Sequence, residues 1–402
     1  MKPIHVRTFY PADPIGVVPG GVDTFLRGII KYAPSDLRFS LVGMTTDNAA
    51  RPRGHWTRCQ LGQREFDFFP VVCVADAGQR SRIPLSVRYT AGLLRYGRPL
   101  RQGFDVMEFH RIEPALLFLN DARPKNAFFH QDMAVIRSDK ADILWRHFPA
   151  AYFGIERRVV SSLSSAWCVR QEGTEALQGR FPNKSSVIRF VPTWVDTDIF
   201  TFLPDAHRST LREHMAQVHG LDLTASWVIS VGRLDSQKNP ELLLNAIGKL
   251  RSEGLNVQWL IVGDGVLRPS LTRMGIANGI GVSMKFLGLL PPAKIAELLN
   301  AADVFALSSA YEGMPMALLE ALGSGLPVAC TDVGEVRRVV VPGINGAISD
   351  TQDLPGFSAC LKEVVCNSQR LRGAPAVSAI QPFQPKAVLT PVYDNYRRMA
   401  IL

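Results

Sequence analysis

The chain has 402 residues, 47% of them hydrophobic and 20% charged, with a formal net charge of +9. That length suits two domains rather than one core, and the composition excludes a disordered or collagen-like chain. No window offers the ~18–20 uninterrupted apolar residues a membrane-spanning helix needs, and the opening MKPIHVRTFYP lacks a secretory-signal pattern.

Along the chain, short apolar runs alternate with helix-length segments. Strands are predicted at 3–9, 38–43, 69–74, 105–109, 126–129, 165–169 and 187–191. A second series follows at 227–232, 257–262, 283–287, 303–307 and 326–330. Helices are predicted at 22–33, 142–163, 239–252, 268–278, 293–301 and 316–323. Such alternation implies an α/β chain with parallel sheets covered on both faces. The series breaks in the irregular VPTWVDTDIFTFLPD, 191–205. The expectation is therefore two doubly wound Rossmann-like domains, 1–192 and 193–384, facing a cleft, with a last helix over 385–400 crossing back onto the first. Ligands of such folds lie outside the carboxyl ends of the strands. Cys59, Cys73, Cys168, Cys330, Cys360 and Cys366 have no paired spacing. They read as reduced core thiols of a cytoplasmic protein.

The positive charge is concentrated in the first half. Between Asp76 and Asp105 there is no acid but six arginines, Arg80, Arg82, Arg88, Arg95, Arg98 and Arg101. Within this stretch PLSVRYTAGLLRYGRPL mixes Arg88, Arg95 and Arg98 with Leu93 and Leu94 at roughly helical spacing. That pattern suits a helix lying on an anionic membrane surface, here the inner face, or else a solvated surface helix. Nucleic acid is not expected as a partner, because no recognised binding motif accompanies the charge.

The segment AYEGMPMALLEALGSGLPV places Glu312 and Glu320 around an apolar run. Pro315 suits the first turn of a helix, and Gly313 lets backbone approach a ligand closely. The first N–H groups of such a helix have no internal partners and suit a phosphate. Glu320 lies ~7–8 Å further along the axis, about the offset from a nucleotide's diphosphate to its ribose. Its carboxylate would accept from ribose hydroxyls. Arg233 and Lys238 follow the first strand of the second domain, either as a surface pair or as ligands of an anion. Gly20 and Gly21 open the first helix, as a turn or as backbone that approaches phosphate. His130 closes a strand; taken alone, such a histidine is more often structural. The glycines at 16, 20 and 21 lack the G-x-G-x-x-G spacing, so no dinucleotide is expected.

The stretch LSSAYEGMPMALLEALGSGLPVACTDVG closely resembles the Glu-x7-Glu region of retaining nucleotide-sugar glycosyltransferases of family 4, which have the GT-B fold. PGGVDTFLRGI (19–29), FFHQD (128–132), VGRLDSQKNPELLLNAI (231–247) and LIVGDGVLRPSL (260–271) resemble its other landmarks, in the family's order. The resemblance implies catalytic roles for His130, Arg233, Lys238 and Glu312. It implies donor binding by Gly20, Gly21, Arg233, Lys238, Gly265, Glu312, Gly313, Met314, Pro315 and Glu320. His110 and Glu113 in FHRIEPAL resemble a site on the acceptor side. Asp196 and Asp198 match the aspartate pair with which metal-dependent sugar transferases of another fold hold manganese. Here they lie where the family carries a structural Val-Asp, so no metal and no cofactor are expected. The implied reaction moves a sugar from a UDP- or GDP-sugar to a hydroxyl of a lipid-linked or cell-surface saccharide. The rival is a non-catalytic sugar- or nucleotide-binding protein of the same fold, against which the intact site residues argue. Arg338, where an acid is usual, and Thr193-Trp194, where Asn-Gly is common, depart from the family pattern.

Overall fold

The computed structural model describes residues 2–15, 21–74, 83–130 and 149–401. Two units emerge, Met1–Thr193 with Pro385–Leu402, and Trp194–Gln384.

In the first unit the described residues form an eight-stranded sheet of order β3-β4-β2-β1-β5-β6-β7-β8. The strands are β1 Ile4–Phe9, β2 Leu37–Thr45, β3 Thr57–Leu61, β4 Arg64–Cys73, β5 Val106–Phe109, β6 Lys125–Phe129, β7 Ser165–Cys168 and β8 Ile188–Phe190. All neighbours are parallel except β3 and β4, an antiparallel edge pair turning at Gly62 with φ 58°. The sequence reading missed β3, in which only Cys59 is buried. Its polar run carries little signal of its own and becomes a strand by pairing with β4.

The helix Leu85–Arg95 packs Tyr89, Gly92 and Leu93 inward. Tyr89 Oη donates to the Val42 carbonyl at 2.7 Å. Gly92 allows the close approach, since a Cβ there would meet Val71 at 2.9 Å. Leu93 therefore belongs to the core, at 3% exposure, and not to a surface patch as expected. One residue on, about 100° around the helix, Leu94 is 66% exposed. The helix Pro385–Ile401 packs on this unit. Tyr393 Oη donates to the Ile29 carbonyl at 2.9 Å, and Arg397 pairs with Asp36 at 2.6 Å.

The second unit holds a six-stranded parallel sheet of order β11-β10-β9-β12-β13-β14. Its strands are β9 Ser226–Val231, β10 Val257–Val262, β11 Met284–Gly288, β12 Val304–Leu307, β13 Val328–Thr331 and β14 Gly346–Ser349. Side chains alternate between two cores. Val228, Trp259, Ile261, Val304 and Ala306 pack with the helices Pro240–Ser252 and Leu354–Leu371. Trp227, Ile229, Leu260, Val262 and Phe305 pack with Pro292–Ala301 and Met316–Gly323. Burial on both faces is why these strands read as continuous apolar runs. Neither β14 nor the helix Leu354–Leu371 was predicted. The latter starts at Asp353, whose Oδ1 accepts from the Gly356 amide at 2.8 Å.

Candidate active site

In the second unit the sequence-predicted residues meet at the carboxyl ends of β9 and β12. Lys238 precedes the helix Pro240–Ser252, and Asn239 between them is left-handed at φ 44°. That conformation is costly for a residue with a Cβ and clusters at functional sites. Ser308 Oγ lies 3.0 Å from the carbonyls of both Lys238 and Asn239, which ties this turn to the end of β12. Lys238 Nζ then stands 2.5 Å from Glu312 Oε1, and Ser309 Oγ donates to the same oxygen at 2.7 Å. Thr331 Oγ1, from the end of β13, donates to the Ser309 carbonyl at 2.7 Å. The Glu312 side chain is only 8% exposed, so this is a largely desolvated pair. Its Oε2 has no partner among the described residues. Arg233 differs: its side chain is 73% exposed and pairs loosely with Asp235 at 3.1 Å. A pair so exposed holds its cation weakly. Gly232, Arg233, Lys238, Ser308 and Ser309 border one small hollow.

Glu312 leads into Gly313, Met314 and Pro315, the last being the residue before the helix Met316–Gly323. The Gly313 carbonyl accepts from the Glu335 amide at 2.9 Å, so the segment rests on the turn after β13. Gly334 makes that contact, with φ 55° and room for no Cβ, which would stand 1.9 Å from the Gly313 oxygen. Within the helix the Glu320 carboxylate makes no hydrogen bond among the described residues. Burial first, and then Asp196, push its carboxyl up to about 7. Gly265 lies against the Leu234 backbone, its Cβ position 2.4 Å from the Leu234 oxygen. Packing alone therefore requires glycine there.

In the first unit Gly20 lies outside the described residues, and Gly21 begins the helix Gly21–Lys31. His110 follows β5 and His130 follows β6. The rings are near-coplanar, 19° apart with centroids at 5.1 Å, and meet edge to edge with His110 Nδ1 2.8 Å from His130 Nε2. His110 is 4% exposed and bridges His130 and Glu108. Its Nε2 is 3.0 Å from Oε1 of the fully buried Glu108. Burial, and then His110, hold the His130 imidazole well below its usual range. Tyr10, His110, Arg111, Glu113, His130 and Tyr152 line one hollow. Glu113 is bridged by Arg111 at 2.8 Å. Sequence reasoning missed Glu108 and Ser309. Glu108 was findable, because residues two apart in a strand share a face. Ser309 is placed by the fold.

Asp196 Oδ1 accepts from the Asp198 amide at 3.2 Å within a turn. Among the described residues no three His, Cys, Asp or Glu side chains gather as metal ligands would. Nor is any described helix long and apolar enough to cross a membrane. On the helix Leu85–Arg95, Val87 and Leu94 are exposed beside Arg95 and Arg98. Arg88, by contrast, turns inward and donates to the Cys73 carbonyl at 2.8 Å. Arg80 and Arg82 lie outside the described residues.

Residues 212–372 match the family model of glycosyl transferases group 1. The D-inositol 3-phosphate glycosyltransferase of Corynebacterium urealyticum is 32% identical over 180 residues, 43% of this chain and 42% of that protein. The UDP-Gal:alpha-D-GlcNAc-diphosphoundecaprenol alpha-1,3-galactosyltransferase of Escherichia coli is 31% identical over 185 residues, 46% of each. The chain thus spans less than half the length of these two curated relatives. Sucrose-phosphate synthase from Thermosynechococcus elongatus shares the fold, with a TM-score of 0.75 at 18% identity over 98% of this chain and 99% of that one. The architecture is GT-B, and residues 212–372 are similar to the group 1 glycosyl transferases.

Proposed function

We propose that this protein is a glycosyltransferase that moves a sugar from a UDP- or GDP-sugar to a hydroxyl of a lipid-linked or cell-surface saccharide, with retention and without a metal. The observation that carries the reading is the Lys238–Glu312–Ser309 cluster at the strand ends of a group 1 domain, with the unpartnered Glu320 carboxylate beyond it. Departure of the nucleotide puts a new negative charge on the β-phosphate. Lys238, fixed at 2.5 Å from Glu312, keeps two N–H bonds for that charge, and the weakly held Arg233 can turn to it. A cation already in place, as Lys238 is, needs no reorganisation as the charge develops. Glu312 Oε2 is left to accept from sugar hydroxyls, and Glu320 from those of the ribose. The family resemblance implies that a ring nitrogen of His130 meets a sugar hydroxyl. Attack on the face the leaving group vacates, with the β-phosphate taking the acceptor proton, is the course the family resemblance implies.

A lipid-linked acceptor is favoured by the Escherichia coli relative, whose name specifies a diphosphoundecaprenol substrate and a UDP donor. Exposed Val87 and Leu94 beside Arg95 and Arg98 suit a protein that works against an anionic inner membrane face. The test is incubation with UDP-, GDP- and ADP-sugars, with and without lipid-linked saccharides, following nucleotide release and the anomeric configuration of the product. Release with one donor class and retained configuration is expected. Binding without release in every combination would leave the protein a non-catalytic sugar-nucleotide binder.

A further inference from the structure

Behind His130 lies a chain of buried polar groups that the proposed reaction does not itself require. Glu108 is fully buried, and its carboxylate is met by three groups. Thr8 Oγ1 donates to Oε1 at 2.9 Å, and His110 Nε2 lies 3.0 Å from the same oxygen. Tyr396 Oη, from the helix Pro385–Ile401, donates to Oε2. A carboxylate only accepts, so the His110 nitrogen facing it carries the proton. When that is the one proton the His110 imidazole carries, its lone pair is on Nδ1, which lies 2.8 Å from His130 Nε2 and takes an N–H there. One assignment settles the next.

We propose that Glu108, His110 and Tyr396 are positioning residues that lock His130 in the Nε2–H tautomer, making Nδ1 a fixed hydrogen-bond acceptor for a sugar hydroxyl. The inference rests on the reading of His130 as a sugar-contacting residue. The packing supports a locked ring. His130 meets His110 edge to edge with the rings within 19° of one plane, Phe25 stands edge-on to it at 5.4 Å, and His110 is stacked on Phe128 at 4.8 Å. Nδ1 of His130 has no partner among the described residues, and its ring lines the hollow with Tyr10, Arg111 and Tyr152. Burial keeps this imidazole neutral at physiological pH, so the choice of tautomer decides whether it accepts or donates. In serine hydrolases a buried carboxylate fixes a histidine tautomer through one bond; here the effect passes through a second imidazole.

The test is nitrogen NMR of the full chain with isotope-labelled histidines, His110 and His130 being assigned through His→Asn variants. Protonated and unprotonated imidazole nitrogens are resolved from each other in shift. The native protein is expected to show His130 protonated at Nε2 and bare at Nδ1. Glu108→Gln lets an amide donate as readily as accept, so His130 should populate both tautomers. Turnover of the donor found in the panel should fall about tenfold, while donor affinity stays within about twofold. Tyr396→Phe keeps the ring packing and removes one donor, and should act in the same direction more weakly. If Glu108→Gln does not fold, as judged by circular dichroism, Tyr396→Phe decides. A native His130 protonated at Nδ1, or one whose shifts ignore both substitutions, would overturn the proposal. Full transfer activity in His130→Asn would instead refute the sugar-contacting role and leave the tautomer result standing.

Discussion

Glu320→Gln offers a test whose size follows from the structure. The Glu320 carboxyl is raised from 4.5 to about 7 by burial and by Asp196. The folded protein therefore holds this proton more tightly than the unfolded chain does. The raised value costs almost nothing below the unfolded value. The cost grows as pH rises from there to the folded value and levels off above it, at ~3 kcal/mol taking ~1.36 kcal/mol per pH unit. Glutamine does not titrate. The stability of the variant relative to the native protein should rise by ~2.5 kcal/mol between pH 5 and pH 8, read from urea titrations at both. Binding supplies a second reading. If ribose hydroxyls donate to an ionised Glu320, donor binding expels the proton, about half an equivalent at pH 7 and with affinity ~tenfold higher at pH 8 than at pH 6. Calorimetry with UDP-glucose and GDP-mannose in buffers of different ionisation enthalpy measures it, since these diphosphate diesters do not titrate in the range. Glu320→Gln should bind at least ~tenfold more weakly, because hydrogen bonds to a charged group are worth ~1.5–3 kcal/mol each. A pH-independent native affinity, or a variant-to-native stability difference constant from pH 5 to pH 8, would refute the reasoning.

Lys238→Gln should leave the 8%-exposed Glu312 carboxylate without its cation, lowering stability by on the order of 2–3 kcal/mol and turnover by ~100-fold or more; urea titration and nucleotide release check the two effects. Gly334→Ala must place a Cβ 1.9 Å from the Gly313 oxygen at φ 55°. It should cost more than ~1 kcal/mol and displace the Glu312 loop, seen as a lower melting temperature together with weaker donor binding. Turnover should survive EDTA; abolition by the chelator with rescue by manganese would return Asp196 and Asp198 to consideration. Exchanging Leu94, Arg95 and Arg98 for Glu should release the protein from anionic liposomes, each Arg being worth ~1 kcal/mol at the surface. Equal pelleting of native and exchanged protein, or indifference to salt, would make the patch a solvated face.

How much of this was legible in the sequence depended on whether the cause was local. Strands covered on both faces are apolar throughout, so the runs at β9, β10 and β12 identified themselves. The edge strand β3 has one buried residue, Cys59, and exists through its pairing with β4. Leu93 and Leu94 are equally apolar and adjacent. Only the body of the sheet beneath the helix decides which is core, and no count of spacings supplies it. In the site, Lys238 and Glu312 were each legible from motifs. Their 2.5 Å contact across 74 residues was not.

The relay behind His130 carries the point furthest. Glu108 was within reach of sequence reasoning, two residues before His110 on one strand face. Tyr396 was not, because it lies 288 residues from the carboxylate it meets. That meeting depends on the helix Pro385–Ile401 belonging to the first unit, where Tyr393 and Arg397 bind Ile29 and Asp36. Those contacts lie on either side of Tyr396 and set where its hydroxyl falls. Residues after Pro385 carry no motif, yet one of them supplies a donor to the carboxylate that sets two histidine tautomers. Loss of this helix should therefore reach His130 before it reaches the sheet. A chain whose sheet is intact can lose the orientation of an imidazole that it still possesses.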